Sequence, residues 1–168
     1  MYETNRLILR KAVFSDWEQM YRNIWCHEET ARYMLWAVTE SEAAAKERME
    51  RTIAFQQSHH AWLVVEKESG KAIGFAGLRE ESGVCEDTGI ALGPGYIGRG
   101  LGSELLGELM RIAREELGAQ RFIISCHSEN EASRKMILGC GFQFSHTEPR
   151  TDPRNGEAYT AEFYQREL

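Results

Sequence analysis

"LGPGYIGRGLGSELLGELMRIAREELG", Leu92 to Gly118, decides how this chain folds. Glycines stand at 93, 95, 98, 100 and 102, and an amphipathic helix opens among the last of them. Leu105, Leu109 and Ile112, with Leu106, Met110, Ala113 and Leu117, recur at helical spacing on one side, and Gly118 is placed to end the helix. A helix N-terminus carries unpaired N–H groups and a partial positive charge. Glycines there leave the backbone bare, so the stretch predicts a bound phosphate or pyrophosphate.

Upstream, "RLILR" at 6–10 alternates Leu7 and Leu9 with Arg6, Ile8 and Arg10, the pattern of a strand. "SDWEQMYRNIW" follows as a helix that Ser15 or Asp16 can cap. Thr39 and Glu42 have capping-box spacing ahead of a second helix, "AAAKERMERTIAFQQ". From Ala61 to Gly93, three strand-like runs separated by "ESGK" and "EESG" turns predict an antiparallel meander. Downstream, "RFIIS" reads as a buried strand and "NEASRKMIL" as a short helix. "GFQFSH" and "GEAYTAEFYQREL" then close as a hairpin across Asn155-Gly156. The expected fold is mixed α/β, a twisted mixed sheet of about seven strands flanked by about four helices, in one domain over 1–168.

A formal net charge of −6 without any basic, aromatic-interleaved run argues against nucleic acid as a partner. The acidic balance is compatible with a cationic substrate such as an amine. Cys26, Cys85, Cys126 and Cys140 show no C-x-x-C pairing and no zinc-finger histidine spacing, so reduced thiols in a cytoplasm and no metal site are expected. Apolar runs such as "AWLVV" at 61–65 are too short to span a bilayer.

Several readings compete for the glycine stretch. "GPGYIG" at 93–98 matches the dinucleotide fingerprint letter for letter, but it follows a meander, contains Pro94, and "RFIISCH" ends without the carboxylate that fingerprint needs. No Gly-Lys-Ser/Thr follows, which excludes a nucleoside-triphosphate loop. A plain turn with a helix cap is the bland alternative.

"DTGIAL", "GYIGRGLGSELL" and "NEASRKMILGCGF", in that order, resemble the acetyl-coenzyme A signature of the GNAT superfamily of N-acetyltransferases. "TNRLILRK" at the start resembles its RimJ/RimL branch. The resemblance implies that the backbone of Ile97, Gly98, Arg99, Gly100, Leu101 and Gly102, with Ser103 following, receives the pyrophosphate of acetyl-coenzyme A. Ile97 stands where relatives usually carry Gln or Arg. It also implies that Ile90, Ala91 and Leu92 pair their backbone with the pantetheine arm where two parallel strands splay. Asn130 would then lie near the pantetheine or sulfur while also capping its helix, and Ser133, Arg134 and Lys135 would meet the nucleotide end.

The implied activity is direct acetyl transfer from the thioester to a primary amine, on a small molecule or on a protein or peptide N-terminus. Asp87, two residues before Gly89, is the first candidate base, with Glu86 beside it on the opposite sheet face and His127 at a strand end. The position where many relatives carry a tyrosine acid is Ile137, which keeps a non-catalytic acyl-coenzyme A-binding module open as the alternative. Trp17, Trp25, Tyr33, Trp36, Tyr159 and Tyr164 stand either for core packing or for an acceptor pocket. The acceptor's identity and the oligomeric state stay open.

Overall fold

The computed structural model describes residues 1–168. Eight strands form one sheet in the order β1-β2-β3-β4-β5-β6-β8-β7. They are β1 (Tyr2–Glu3), β2 (Leu7–Arg10), β3 (His60–Glu66), β4 (Ala72–Glu81), β5 (Val84–Leu92), β6 (Arg121–His127), β7 (Gln143–Thr151) and β8 (Ala158–Glu167). Five α-helices flank the sheet: α1 (Trp17–Met20), α2 (Glu28–Ala31), α3 (Glu42–Ser58), α4 (Leu101–Glu115) and α5 (Glu131–Gly139). The count exceeds the expected seven strands because β1 is a two-residue strand, too short for any periodicity to mark. It exceeds four helices because α2 is an additional single turn of four residues.

Burial explains the arrangement. On β3, Trp62 and Val64 enter one core with Leu7, Leu9, Ile73 and the apolar stripe of α4, while Leu63 enters a second core with Met20, Trp25 and Met49 on the other face. Leu105, Leu106, Leu109, Ile112 and Ala113 are fully buried. Met110 and Leu117 pack at the rim of that core. Gly118, at φ +71°, takes the left-handed turn that leads off α4.

Two helix starts differ from expectation. Neither Ser15 nor Asp16 is the first cap: the segment opens with a 3₁₀ turn over Phe14–Asp16 after Val13. The Asp16 carboxylate reaches back to the Val13 amide at 2.9 Å and pairs with Arg10 at 2.7 Å. The segment then passes through α1 into a π-helical turn over Tyr21–Trp25. For α3 the cap is Ser41, whose hydroxyl accepts from the Ala44 amide at 3.2 Å. Thr39 is instead buried and accepts from Arg48 Nη1 at 2.9 Å, a tertiary contact that removes it from capping.

All neighbouring strands run antiparallel except β5 and β6. That parallel pair is joined only through Val84↔Arg121, Cys85↔Phe122 and Glu86↔Ile123. Past Glu86 the strands separate, although β5 continues to Leu92 beside β4 and β6 continues to His127 beside β8. The separation coincides with a bulge: Gly77 faces Gly89 and Leu78 faces Asp87, leaving Thr88 as the extra residue.

Candidate active site

The wedge between β5 and β6 has the glycine loop at one end. Gly98 and Gly100 adopt φ +79° and +75°, a conformation that only glycine adopts without strain. The amides of Gly98, Arg99, Gly100, Leu101, Gly102 and Ser103 have no backbone acceptor, so a row of donors surrounds the start of α4. A Cβ at Gly102 would lie 2.7 Å from Met136 Sδ, so this glycine lets α4 approach α5. These features fit a pyrophosphate, which needs a bare backbone and converging N–H groups.

Side chains around the loop brace it. Arg99 pairs with Glu66 at 2.6 Å, so its contribution to an anion is through its amide. Arg6 donates to the Arg99 carbonyl at 2.8 Å and pairs with Glu104 at 2.6 Å, and Glu104 also accepts from the Arg6 amide and the Thr4 hydroxyl. Glu66 and Glu104 are both held below the ordinary carboxylate range. Hydrogen bonds from Ser69 and then Arg99 act on Glu66, while those from Thr4 and Arg6 outweigh the desolvation of Glu104. Sequence reasoning missed this frame because Arg6 and Glu104 lie far apart in the chain and no local spacing marks them.

Of the proposed proton-transfer groups, Glu86 and Asp87 stand at the closed end of the wedge, and His127 ends β6 on its open side. Asp87 is the first β5 residue beyond the last β6 pair, and its Oδ1 accepts from the Ser125 amide of β6 at 3.4 Å. Burial pushes its carboxyl up to about 6, against the opposing effect of hydrogen bonds from the Ser125 and Gly89 amides. Glu86 is ion-paired with Arg79 on the adjoining strand. His127 Nδ1 accepts from the Glu129 amide at 3.1 Å, and its ring stacks on Tyr159 with centroids 4.9 Å apart and lies 5.1 Å from Tyr33. Asp87 and His127 therefore border the wedge from β5 and β6, whereas Glu86 is engaged elsewhere.

Asn130 caps α5, accepting from the Ser133 amide at 3.1 Å. Arg134 is held by Glu162 at 2.8 Å, and Lys135 is exposed. Ile137 is fully buried in the core. Ile90, Ala91 and Leu92 occupy the separated part of β5, and Ile97 is 60% exposed beside the loop.

Two clefts flank the wedge. One, of about 450 Å³, is lined by Tyr33, His127, Tyr159 and the β7–β8 turn. The other, of about 280 Å³, lies between α3 and the sheet and is lined by Trp25, Trp36, Phe55, Phe75 and Arg48 over Gly77 and Gly89. A Cβ at Gly89 would lie 3.6 Å from both Met34 and Phe75, which places Met34 between the two clefts. The aromatic residues thus divide: Tyr33, Trp36 and Tyr159 line clefts, Trp25 serves both core and cleft, Tyr164 is core, and Trp17 packs at the edge of the second core.

The sequence profile of the acetyltransferase (GNAT) domain matches residues 6–143. The chain belongs to the GNAT acetyltransferase family. At the level of that family its chemistry is acetyl transfer dependent on acetyl-coenzyme A. A curated relative, the uncharacterized N-acetyltransferase YoaA of Bacillus subtilis (strain 168), is 26% identical over 96% of this chain and 93% of its own length. The GNAT fold recurs in the microcin C7 self-immunity acetyltransferase MccE, solved with acetyl-CoA and AMP, at a TM-score of 0.82 and 19% identity over 98% of this chain and 94% of that one. It recurs also in RimL, a ribosomal L7/L12 alpha-N-protein acetyltransferase solved with coenzyme A, at a TM-score of 0.80 and 19% identity over 98% and 96%.

Proposed function

We propose that the protein is an N-acetyltransferase of the RimJ/RimL-like branch that acetylates the primary amine of a small molecule or a peptide N-terminus. The observation that carries this is the wedge: β5 and β6 part after Glu86↔Ile123, with unpaired amides at 98–103 on one side and the Asp87 carboxylate inside the parting. The "TNRLILRK" opening and the likeness to RimL support the branch. Free cysteines at 26, 85, 126 and 140, and no helix long and apolar enough to cross a membrane, support a cytoplasmic setting.

Acetyl-coenzyme A, when bound, supplies an acetyl thioester and a thiol leaving group. The backbone of Ile97–Ser103 would hold its pyrophosphate, Ile90–Leu92 would offer main-chain partners to the pantetheine, Asn130 would lie near the pantetheine or sulfur, and Ser133, Arg134 and Lys135 would stand toward the nucleotide. Asp87 is the base: its carboxylate takes one proton from the incoming amine, directly or through a water, while the Ser125 amide keeps it oriented. The neutral amine nitrogen then attacks the thioester carbonyl, so that a C–N bond forms, the C–S bond breaks and the sulfur leaves with the electron pair, while the surplus proton left on the acylated nitrogen passes through water to that thiolate. Departure as thiolate costs only about 2 kcal/mol at pH 7 for a thiol of pKa about 8.5. Water is therefore a sufficient proton source in place of the phenol that Ile137 lacks.

The test is release of free thiol from acetyl-coenzyme A with a panel of amines and N-terminal peptides, with acetylated products read by mass. Thermal melts run beside it, in which acetyl-coenzyme A stabilises the fold more than NAD or ATP. Equal stabilisation by NAD would overturn the cofactor assignment. Stabilisation by acetyl-coenzyme A without transfer to any amine would favour the second reading, a non-catalytic acyl-coenzyme A-binding module, which the buried Ile137 supports.

A further inference from the structure

The cleft between α3 and the sheet has a charge pattern opposite to that of the chain. The net charge is −6, yet the charged residues lining this cleft are Arg48 and Arg51, with no carboxylate. Arg51 is paired with Glu47 at 2.5 Å. Arg48 is not ion-paired. Its guanidinium lies over the rings of Trp25 and Trp36, at 4.7 and 4.3 Å from their centroids, and Nη1 donates to the Thr39 hydroxyl at 2.9 Å.

A desolvated charge without a counter-charge is costly and is ordinarily paired. Burial and the nearby Arg51 charge accordingly push Arg48 down to about 10, so it remains cationic at neutral pH. The two indoles and Thr39 fix the guanidinium without neutralising it. The buried indole N–H of Trp36, on the same wall, also has no acceptor. The Arg48 guanidinium on this cleft wall therefore lacks a counter-anion.

The floor of the cleft points toward the reaction. Gly77 and Gly89 present no side chains, and Gly89 sits two residues after Asp87 on the separated part of β5. At about 280 Å³ the space suits a small molecule. Its walls are largely aromatic.

We propose that Arg48 is the specificity-determining residue of the acceptor site, and that the acceptor is a small anionic amine whose carboxylate or phosphate pairs with the Arg48 guanidinium. Its apolar body lies along Trp36 and Phe75 and its amine reaches the Gly89 edge of β5. The planar guanidinium fork suits either anion. This assignment rests on the acetyltransferase reading above, and it replaces the cationic acceptor that the acidic composition suggested.

The test is calorimetric titration of the coenzyme A-loaded full chain with matched amines: phenylalanine against phenylalaninamide and 2-phenylethylamine, and O-phosphotyramine against tyramine. The anionic member of at least one set should bind roughly 10- to 100-fold tighter than its counterparts, the range of a hydrogen-bonded charge pair. Which set shows it separates carboxylate from phosphate. Arg48→Met should erase that preference while leaving coenzyme A affinity intact, and Arg48→Lys should restore part of it. A merely structural Arg48 would alter the melting temperature and not the preference.

Neutral amines binding as well as anionic ones, no binding by any anionic amine, or a preference that survives in Arg48→Met would overturn the proposal. Should Arg48→Met not fold, the wild-type comparison decides alone. Selective binding of an anionic amine without thiol release would defeat the transfer reading while upholding the anion site.

Discussion

Arg6 donates from Nη1 to the main-chain carbonyl of Arg99 at 2.8 Å, tying the first strands of the sheet to the back of the glycine loop. The same guanidinium pairs with Glu104 in the first turn of α4. It thus fixes both the loop and the helix end whose amides face the wedge. A loop with two glycines at positive φ has backbone freedom that an anion site must lose on binding.

Arg6→Ala should therefore weaken coenzyme A binding through a residue that need not touch the ligand. About a 3- to 10-fold rise in Kd is expected by calorimetry. A stability loss of about 1 kcal/mol should accompany it, since Arg6 is 44% exposed and its ion pair is partly screened. Unchanged affinity would show that the loop is ordered without the brace.

Gly100 and Gly107 should respond in opposite ways. Gly100 is at φ +75° and a Cβ there would lie 3.5 Å from Arg6 Nη2. Gly100→Val should cost about 1–2 kcal/mol of stability from the left-handed backbone and lower coenzyme A affinity by more than tenfold. Gly107 lies inside α4 with open space around its Cβ position. Gly107→Ala should stabilise the fold by about 0.5–1 kcal/mol and leave binding unchanged. Denaturant melts and calorimetry on both variants check the pair.

The elements that could be read from the sequence were those whose signal is local. The α4 stripe and the Asn155-Gly156 hairpin each rest on residues a few positions apart, and the structure forms both. The choice between Thr39 and Ser41 as cap was not local, because both side chains can cap and Arg48 decides by taking Thr39. The same limit hid Arg48 itself. On α3 it reads as an ordinary exposed helix residue, and only the fold brings Trp25 and Trp36 onto its guanidinium. Gly77 offered a signal that could have been used: an isolated glycine in a strand marks a bulge or a close approach, and here it marks both.

Asp87 should also register in stability. Its carboxyl is raised by burial to about 6 in the fold, against about 3.9 in an unfolded chain. The folded state therefore holds the proton more tightly, and the stability linked to this group is present below pH 4 and lost as pH rises toward 6. Asp87→Asn, which keeps an acceptor for the Ser125 amide, should match the wild type below pH 4 and exceed it by about 1–2 kcal/mol above pH 6, allowing for partial solvent screening. Denaturation midpoints for both proteins across that window give the difference directly. A constant offset across the window would mean that the carboxyl does not titrate there.

The same substitution should behave differently in turnover. A base poised near 6 is ionised at neutral pH yet retains proton affinity, which suits it to an amine that must lose a proton. An α-amine of pKa about 8 costs only about 1–1.5 kcal/mol to deprotonate at pH 7, whereas a lysine amine near 10.4 costs about 4–5. For an α-amine acceptor, Asp87→Asn should lower kcat/KM by about tenfold, short of the roughly 100- to 10,000-fold loss of an indispensable base, and the wild-type rise through pH 6 should flatten in the variant. Glu86→Gln should change the rate by less than threefold, because Glu86 is engaged by Arg79 across the strands. His127→Ala should change kcat/KM by less than threefold, since the ring packs between Tyr33 and Tyr159 in the neighbouring cleft and not in the one that seats the acceptor. Efficient acetylation of a lysine side chain, abolished by Asp87→Asn with coenzyme A affinity intact, would instead make the carboxylate an essential base and lysine the acceptor class.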